Sequence, residues 1–170
     1  MKPTNETEQT IPFEVELKYR VDSFSQIELR LRELAATELA AQRQTDLYFR
    51  HPCRDFSKTD EALRIRRSND QTYLTFKGPK LDTTTKTRRE IELLVQSSDA
   101  ADWESLLLSL GFNRVASVHK QRRLFRIIRA DREFHVSLDA VEIAGNFVEV
   151  ETISDQANLQ QAQHQLQLLA

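Results

Sequence analysis

The stretch Phe13-Glu14-Val15-Glu16-Leu17-Lys18-Tyr19-Arg20-Val21 alternates without a break. Phe13, Val15, Leu17, Tyr19 and Val21 fall on one face, and Glu14, Glu16, Lys18 and Arg20 on the other. A period of two with β-branched and aromatic residues predicts a strand. Along its ionic face the side chains stand about 7 Å apart. Hard carboxylate oxygens at that spacing suit Mg2+ or Mn2+, and the neighbouring ammonium suits an anionic ligand. A solvated strand face with compensating charges has the same pattern, so this strand alone assigns no site.

The pattern recurs through the chain. Arg64 and Arg66 share a face of a strand over Ala62–Arg67, and Lys77 closes the next strand, Thr72–Lys77. Arg88, Glu90 and Glu92 alternate through Thr87–Val95. Lys120 and Arg122 share a face within a long strand signal from about Val115 to Ile128, and Asp139 ends a strand that starts at Glu133. Glu149 and Glu151 alternate in Phe147–Thr152. An earlier strand, Asp46–Arg50, puts Asp46 and Tyr48 on one face, and His51–Asp60 reads as a loop. His135 shares a face with Asp139 and is a weaker candidate.

Three helices accompany these strands. Ser25 to Glu28 reads as a capping box opening a helix that reaches about Leu39. Asp99–Leu110 carries Trp103, Leu106, Leu107 and Leu110 on one side and stops at Gly111. Ser154–Leu169 carries Leu159, Ala162, Leu166 and Leu169. Seven or eight strands interrupted by two helices and followed by a third make an α+β fold. Alternation does not separate inside from outside. Two features place the ionic faces inside. Amphipathic helices need an apolar wall to cover, and Arg-rich faces suit planar contacts with phosphate.

The totals bound the function. A length of 170 residues fits one domain, residues 12–170, preceded by a loose polar arm over residues 1–11. A net charge of −2 gives no general attraction to nucleic acid or to an anionic membrane. No apolar run reaches the roughly 18 residues of a membrane span. The polar start has no leader character, and the single Cys53 forms no internal disulfide, so a reduced cytoplasmic location is expected. With 3 glycines and neither GxGxxG nor GxxxxGK, phosphate binding has to rest on cationic side chains and a metal. No Cys/His metal cluster and no Ser/His/Asp set is present.

Glu14-Val15-Glu16-Leu17-Lys18 resembles the ExExK signature of CYTH domains, the triphosphate tunnel metalloenzymes. The resemblance extends through Ala62–Arg66, Tyr73–Pro79, Arg88–Glu92, Val118–Arg122, and Leu138–Asp139 followed by Phe147–Glu151, and so covers nearly the whole chain. It implies a closed eight-stranded antiparallel barrel around a charged tunnel, with amphipathic helices outside. It implies that Lys18, Arg64, Arg66, Lys77, Arg88, Lys120 and Arg122 bind a triphosphate. It implies that Glu14, Glu16, Asp139, Glu149 and Glu151 gather Mg2+ or Mn2+, and that Glu16, Lys18, Lys120 and Asp139 are catalytic. The blocks look closest to class IV adenylyl cyclases, which convert ATP to cyclic AMP and pyrophosphate. A triphosphatase acting on tripolyphosphate, thiamine triphosphate or a nucleotide fits the same architecture, as does a non-catalytic polyphosphate or nucleotide binder. A small-molecule triphosphate is the expected partner, and a homodimer is compatible with the pattern. The turn Glu142-Ile143-Ala144-Gly145-Asn146 departs from the Gly-Leu-Gly turn frequent in cyclase-like members.

Overall fold

The computed structural model describes residues 12–82, 84–96 and 99–170; the arm expected over residues 1–11 lies outside them. In chain order the elements are β1 (Phe13–Val21), α1 (Ser25–Glu33), β2 (Thr37–Glu38), β3 (Gln42–Arg50) and α2 (Phe56–Thr59). Then follow β4 (Ala62–Ser68), β5 (Gln71–Lys77), β6 (Arg88–Val95), α3 (Ala100–Ser109), β7 (Asn113–Arg129), β8 (Arg132–Val141), β9 (Gly145–Ser154) and α4 (Leu159–Leu169).

Eight strands close a ring in the order β7-β3-β4-β5-β6-β1-β9-β8, with β8 returning to β7, and the fold is α+β. Each neighbouring pair in the ring runs antiparallel. β7 is long enough to serve two partners. Its Asn113–Arg122 part pairs with β3 and its Lys120–Arg129 part with β8. Where β3 stops, β2 continues the same edge, with Thr37 opposite Arg126. The ring is unevenly sewn. β1 pairs with β9 from Phe13 to Val21, but with β6 only at Phe13↔Arg89 and Glu14↔Arg88. Beyond that the Lys86 N–H donates to the Glu16 carbonyl at 2.8 Å.

The apolar core lies outside the barrel wall. Val15, Phe125, Ile127, Phe134, Val136, Leu138, Val148 and Val150 point outward and pack under Leu31 of α1 and Ala162 and Leu166 of α4. A second cluster sets Phe49, Leu63 and Ile65 against Phe56 of α2 and Leu107 of α3, with Trp103 partly buried beside them. Burying a side chain such as Leu166 stabilises by about 1.5–3 kcal/mol. The outward faces therefore hold the fold, and the inward faces are free to carry charge.

The structure corrects four local expectations. α1 ends at Glu33, not near Leu39, because Ala35 turns left-handed (φ 51°). The N–H of Ala36 then donates to the Leu31 carbonyl and that of Ala35 to the Arg32 carbonyl, a Schellman stop that frees Thr37 for pairing with β7. The expected capping box does not form: no side chain caps α1, and Glu28 instead pairs with Arg123 on β7. The last helix starts at Leu159, not Ser154. Ser154 still pairs with Phe13 in the sheet, and the Asp155 carboxylate takes the Asn158 N–H at 2.8 Å. The stripe of α3 is narrower than expected, since Leu106 and Leu110 are 46% and 61% exposed. Within the expected loop 51–60, Asp55 caps the short α2 through the Ser57 N–H.

Candidate functional site

The alternation that sends Val15 and Leu17 outward sends Glu14, Glu16 and Lys18 inward, and the other strands follow the same parity. Together they line a cavity of about 1010 Å3 within the barrel. Of the expected residues, Glu14, Glu16, Lys18, Arg64, Arg66, Lys77, Arg88, Lys120, Arg122, Glu149 and Glu151 border it. Asp139 does not. It is 0% exposed, on the same face of the sheet as its cross-strand partner Arg122, and both its oxygens are taken. Arg122 donates to it through Nε and Nη2, each at 2.6 Å, and Lys120 through Nζ at 2.8 Å.

The charges form three groups. In the first, Lys77 Nζ lies 2.6 and 2.7 Å from the two Glu14 oxygens, 3.0 Å from Glu90 and 4.0 Å from Glu16. In the second, Glu149 accepts from Lys18 at 2.5 Å and from Arg122, which also clasps Asp139. In the third, Asp46 receives a two-pronged contact from Arg66, with both bonds at 2.6 Å, and a longer one from Arg64 at 3.7 Å. This pairing is what makes so much buried charge tolerable, because an unpaired ion would carry a penalty of several kcal/mol.

Two guanidinium groups are incompletely paired. Arg64 Nε and Arg88 Nε are buried and meet no hydrogen-bond acceptor among the described residues. Arg88 is held in place by its Nη1, which donates to the Asp60 carbonyl at 3.0 Å. Buried N–H groups without a partner are rare and costly, so donors left over on the wall of a cavity fit an anion.

Proton affinities divide the wall further. Burial raises Glu14, and Glu90 adds to this while Lys77 opposes it. Burial pushes Glu151 up to about 7, with Glu14 and Glu149 adding repulsion. Glu149 goes the other way: against its burial, Arg122, Lys120 and Lys18 hold it well below the usual carboxylate range. Burial, with Arg122 and Arg66 alongside, brings Lys120 down to about 8 although Glu149 and Asp139 pull it up. Glu14, paired with Lys77, and Glu151 are therefore neighbouring carboxylates whose proton affinity burial and mutual repulsion raise. No group of three or more His, Cys, Asp or Glu is preassembled for a metal among the described residues. One or two carboxylates completed by phosphate oxygens and water is the usual manner of holding Mg2+, and Glu14 with Glu151 fits it.

Several residues of the site were not singled out from the sequence. Lys86 lines the cavity and reaches Glu16 at 3.1 Å. It sits in a Thr-rich loop, yet it shares the parity of Arg88, Glu90 and Glu92, and that was the available signal. Gln163 of α4 pins this loop through Asp82 Oδ2 at 2.8 Å and Thr87 Oγ1 at 2.9 Å. Gln42 and Gln44 precede the strand expected at Asp46, on the same parity, and both line the cavity. Tyr48 reaches the cavity as its shared face with Asp46 suggested. His135 pairs with Glu133 at 3.1 Å and does not border the cavity.

Comparison with known proteins agrees with this architecture. The CYTH domain family model matches residues 12–169. A Methanocaldococcus jannaschii protein named "Putative adenylate cyclase MJ0240" is 36% identical over 84% of this chain and 78% of its own length. Adenylate cyclase CyaB of Aeromonas hydrophila is 31% identical over 93% of this chain and 78% of its own. The PH1819 protein of Pyrococcus horikoshii OT3 superposes with a TM-score of 0.78 at 38% identity, covering 92% of this chain and 90% of that one. A closed barrel with a paired-charge interior, leftover guanidinium donors and a family match over nearly every described residue lead to one conclusion: the chain belongs to the CYTH family of enzymes, whose members are adenylyl cyclases or triphosphatases.

Proposed function

We propose that this enzyme is an adenylyl cyclase that converts ATP to cyclic AMP and pyrophosphate inside the tunnel. The observation that carries the reading is the unsatisfied pair of buried donors, Arg64 Nε and Arg88 Nε, on a wall that also presents Lys77, Lys86 and Arg122. Such a wall neutralises and orients a phosphate chain, which is most of what phosphoryl and nucleotidyl transfer require. Two relatives above 30% identity bear the adenylate cyclase name, which favours attack at the α-phosphorus over hydrolysis at the far end.

The residues divide the work as follows. Arg64, Arg66, Lys77, Arg88 and Arg122 hold phosphate oxygens, and Lys18 adds to them from β1. Lys120, brought down to about 8 by burial with Arg122 and Arg66 alongside, lines the cavity and is assigned the proton of the attacking 3′-hydroxyl. Asp139 acts through Lys120 and Arg122, which makes it a positioning residue. Glu16 fixes Lys86 at the tunnel wall. Glu14 and Glu151, with Glu149 alongside, would hold a divalent cation, which when bound polarises a phosphoryl oxygen.

Incubation with ATP and Mg2+ or Mn2+, followed by chromatography, tests this. Cyclic AMP with pyrophosphate is expected, and inorganic tripolyphosphate should be a poor substrate. Orthophosphate from both substrates with no cyclic product would replace the reading with a triphosphatase.

A further inference from the structure

The tunnel wall carries a third unsatisfied buried atom, and it has the opposite character from the two guanidinium donors. Gln44 is 5% exposed, and its Oε1 receives no hydrogen bond among the described residues. Its Nε2 is already engaged, donating to Gln42 Oε1 at 2.6 Å and, at 3.5 Å, to Ser68 Oγ. An orphan acceptor does not serve a phosphate oxygen; it calls for an N–H or O–H donor. Gln42, Gln44, Ser68 and Tyr73 are uncharged polar residues of the cavity wall, beside Lys120 and Arg122 on β7. Tyr73 adds an aromatic ring, anchored by its hydroxyl donating to Gln71 Oε1 at 2.7 Å.

We propose that this part of the wall is a nucleobase subsite, and that it takes a base with an exocyclic amine beside a ring nitrogen, as adenine has. The Gln44 oxygen accepts from the amine. The Gln42 amide nitrogen, which makes no hydrogen bond among the described residues, faces the ring nitrogen as donor. A donor and an acceptor side by side are how a carboxamide pair complements the adenine edge. The phosphate end follows from the sheet register: Gln44 is opposite Lys120 and Gln42 opposite Arg122 on β7. A base held on β3 thus leaves its first phosphate at the Lys120–Arg122 wall, with the rest of the chain toward Arg64 and Lys77. Inosine offers a carbonyl where adenine has the amine, so it sets acceptor against acceptor at Gln44. The inference rests on the reading of the substrate as a nucleoside triphosphate.

Calorimetric binding in Mg2+, with α,β-methylene analogues that block transfer at the α-phosphorus, tests it. The wild-type protein should bind the ATP analogue roughly tenfold more tightly than the inosine analogue, the worth of one hydrogen bond and the clash replacing it. Gln44→Leu should bring that ratio close to one and leave inorganic tripolyphosphate affinity unchanged, which shows the tunnel is intact. Gln44→Met, close in shape, should behave alike. A ratio near one in the wild type, a ratio that Gln44→Leu leaves unmoved, or equal weakening of all three ligands would overturn the subsite. Base discrimination accompanied by orthophosphate release would keep the subsite and remove the cyclase reading. Cyclic AMP formation without discrimination would do the reverse.

Discussion

Asp139→Asn changes one oxygen to an amide and leaves the volume unchanged, so it isolates charge from packing. The carboxylate is 0% exposed and accepts all three donors aimed at it, two from Arg122 and one from Lys120. Removing its charge leaves Lys120 without its carboxylate and Arg122 with Glu149 alone, and turns an amide N–H toward one of them. Breaking a buried pair from one side costs about 3–5 kcal/mol. Lys120 and Arg122 also border the cavity, where water relieves part of the penalty, so about 3 kcal/mol is the expected loss. With a urea dependence of about 2 kcal/mol per molar, the unfolding midpoint should fall by about 1.5 M. Added tripolyphosphate should restore much of this, because it supplies the missing negative charge. The control is Arg30→Ala, which breaks an exposed pair with Glu33 on α1 and should cost under about 0.5 kcal/mol. Equal effects from the two substitutions, or a loss for Asp139→Asn below about 1 kcal/mol, would show that the cluster is solvated and that the inside of the barrel has been misassigned.

Other consequences can be measured separately. Arg64→Ala, Arg66→Ala or Lys77→Ala should weaken tripolyphosphate binding by about 2–5 kcal/mol by calorimetry, whereas Arg32→Ala on α1 should change it little. Glu151, raised to about 7, binds its proton more tightly folded than unfolded. Its contribution to stability therefore falls as pH rises from about 4.5 to 7, on the order of 3 kcal/mol in total, in the presence of a chelator. Glu151→Gln should flatten that part of a denaturation-versus-pH curve, and a curve that keeps its slope would refute the assignment. Ile143 is fully exposed at a left-handed φ of 69°, a conformation that β-branched residues disfavour. Ile143→Gly should raise the melting temperature by about 2–4 °C, and a lower temperature would mean the turn is not strained.

The barrel was legible in the sequence because each strand buries one apolar face under helices while the other carries charge, and a period of two records that directly. Parity grouped the charged residues on β1, β4, β6, β7 and β9, and the need of the amphipathic helices for an apolar wall turned that group inward. What the sequence did not show are features decided by distant partners. Thr37 and Glu38 are a strand only because β7 outruns β3, and two residues have no period. Glu28 looked like a cap, but Arg123, far along the chain, claims it. The family resemblance implied a metal-binding and catalytic Asp139, and the ion pairs that Arg122 and Lys120 make to it appear only in the folded sheet. Gln44 gave no signal, because a neutral amide matters only once its oxygen is found buried without a donor.

The uneven stitching of the ring bears on how the chain folds and breathes. β3 to β6 form a meander of strands successive in the chain, and β7 to β9 with β1 make the other half-sheet. Joining them along β1 and β6 brings together segments far apart in sequence for only two ladder positions, Phe13↔Arg89 and Glu14↔Arg88. Loop-closure entropy is met there with the least return, which makes the join a late event in folding. The same line is where the finished barrel opens most cheaply, so the amides of Arg88 and Arg89 should exchange with solvent through local opening rather than global unfolding. Lys77 and Arg88 border the cavity on one side of the line and Lys18 on the other, so a polyanion held as proposed would span it. Bound ligand then acts as a strut across the seam, and the slowing of exchange at those two amides becomes a direct reading of occupancy.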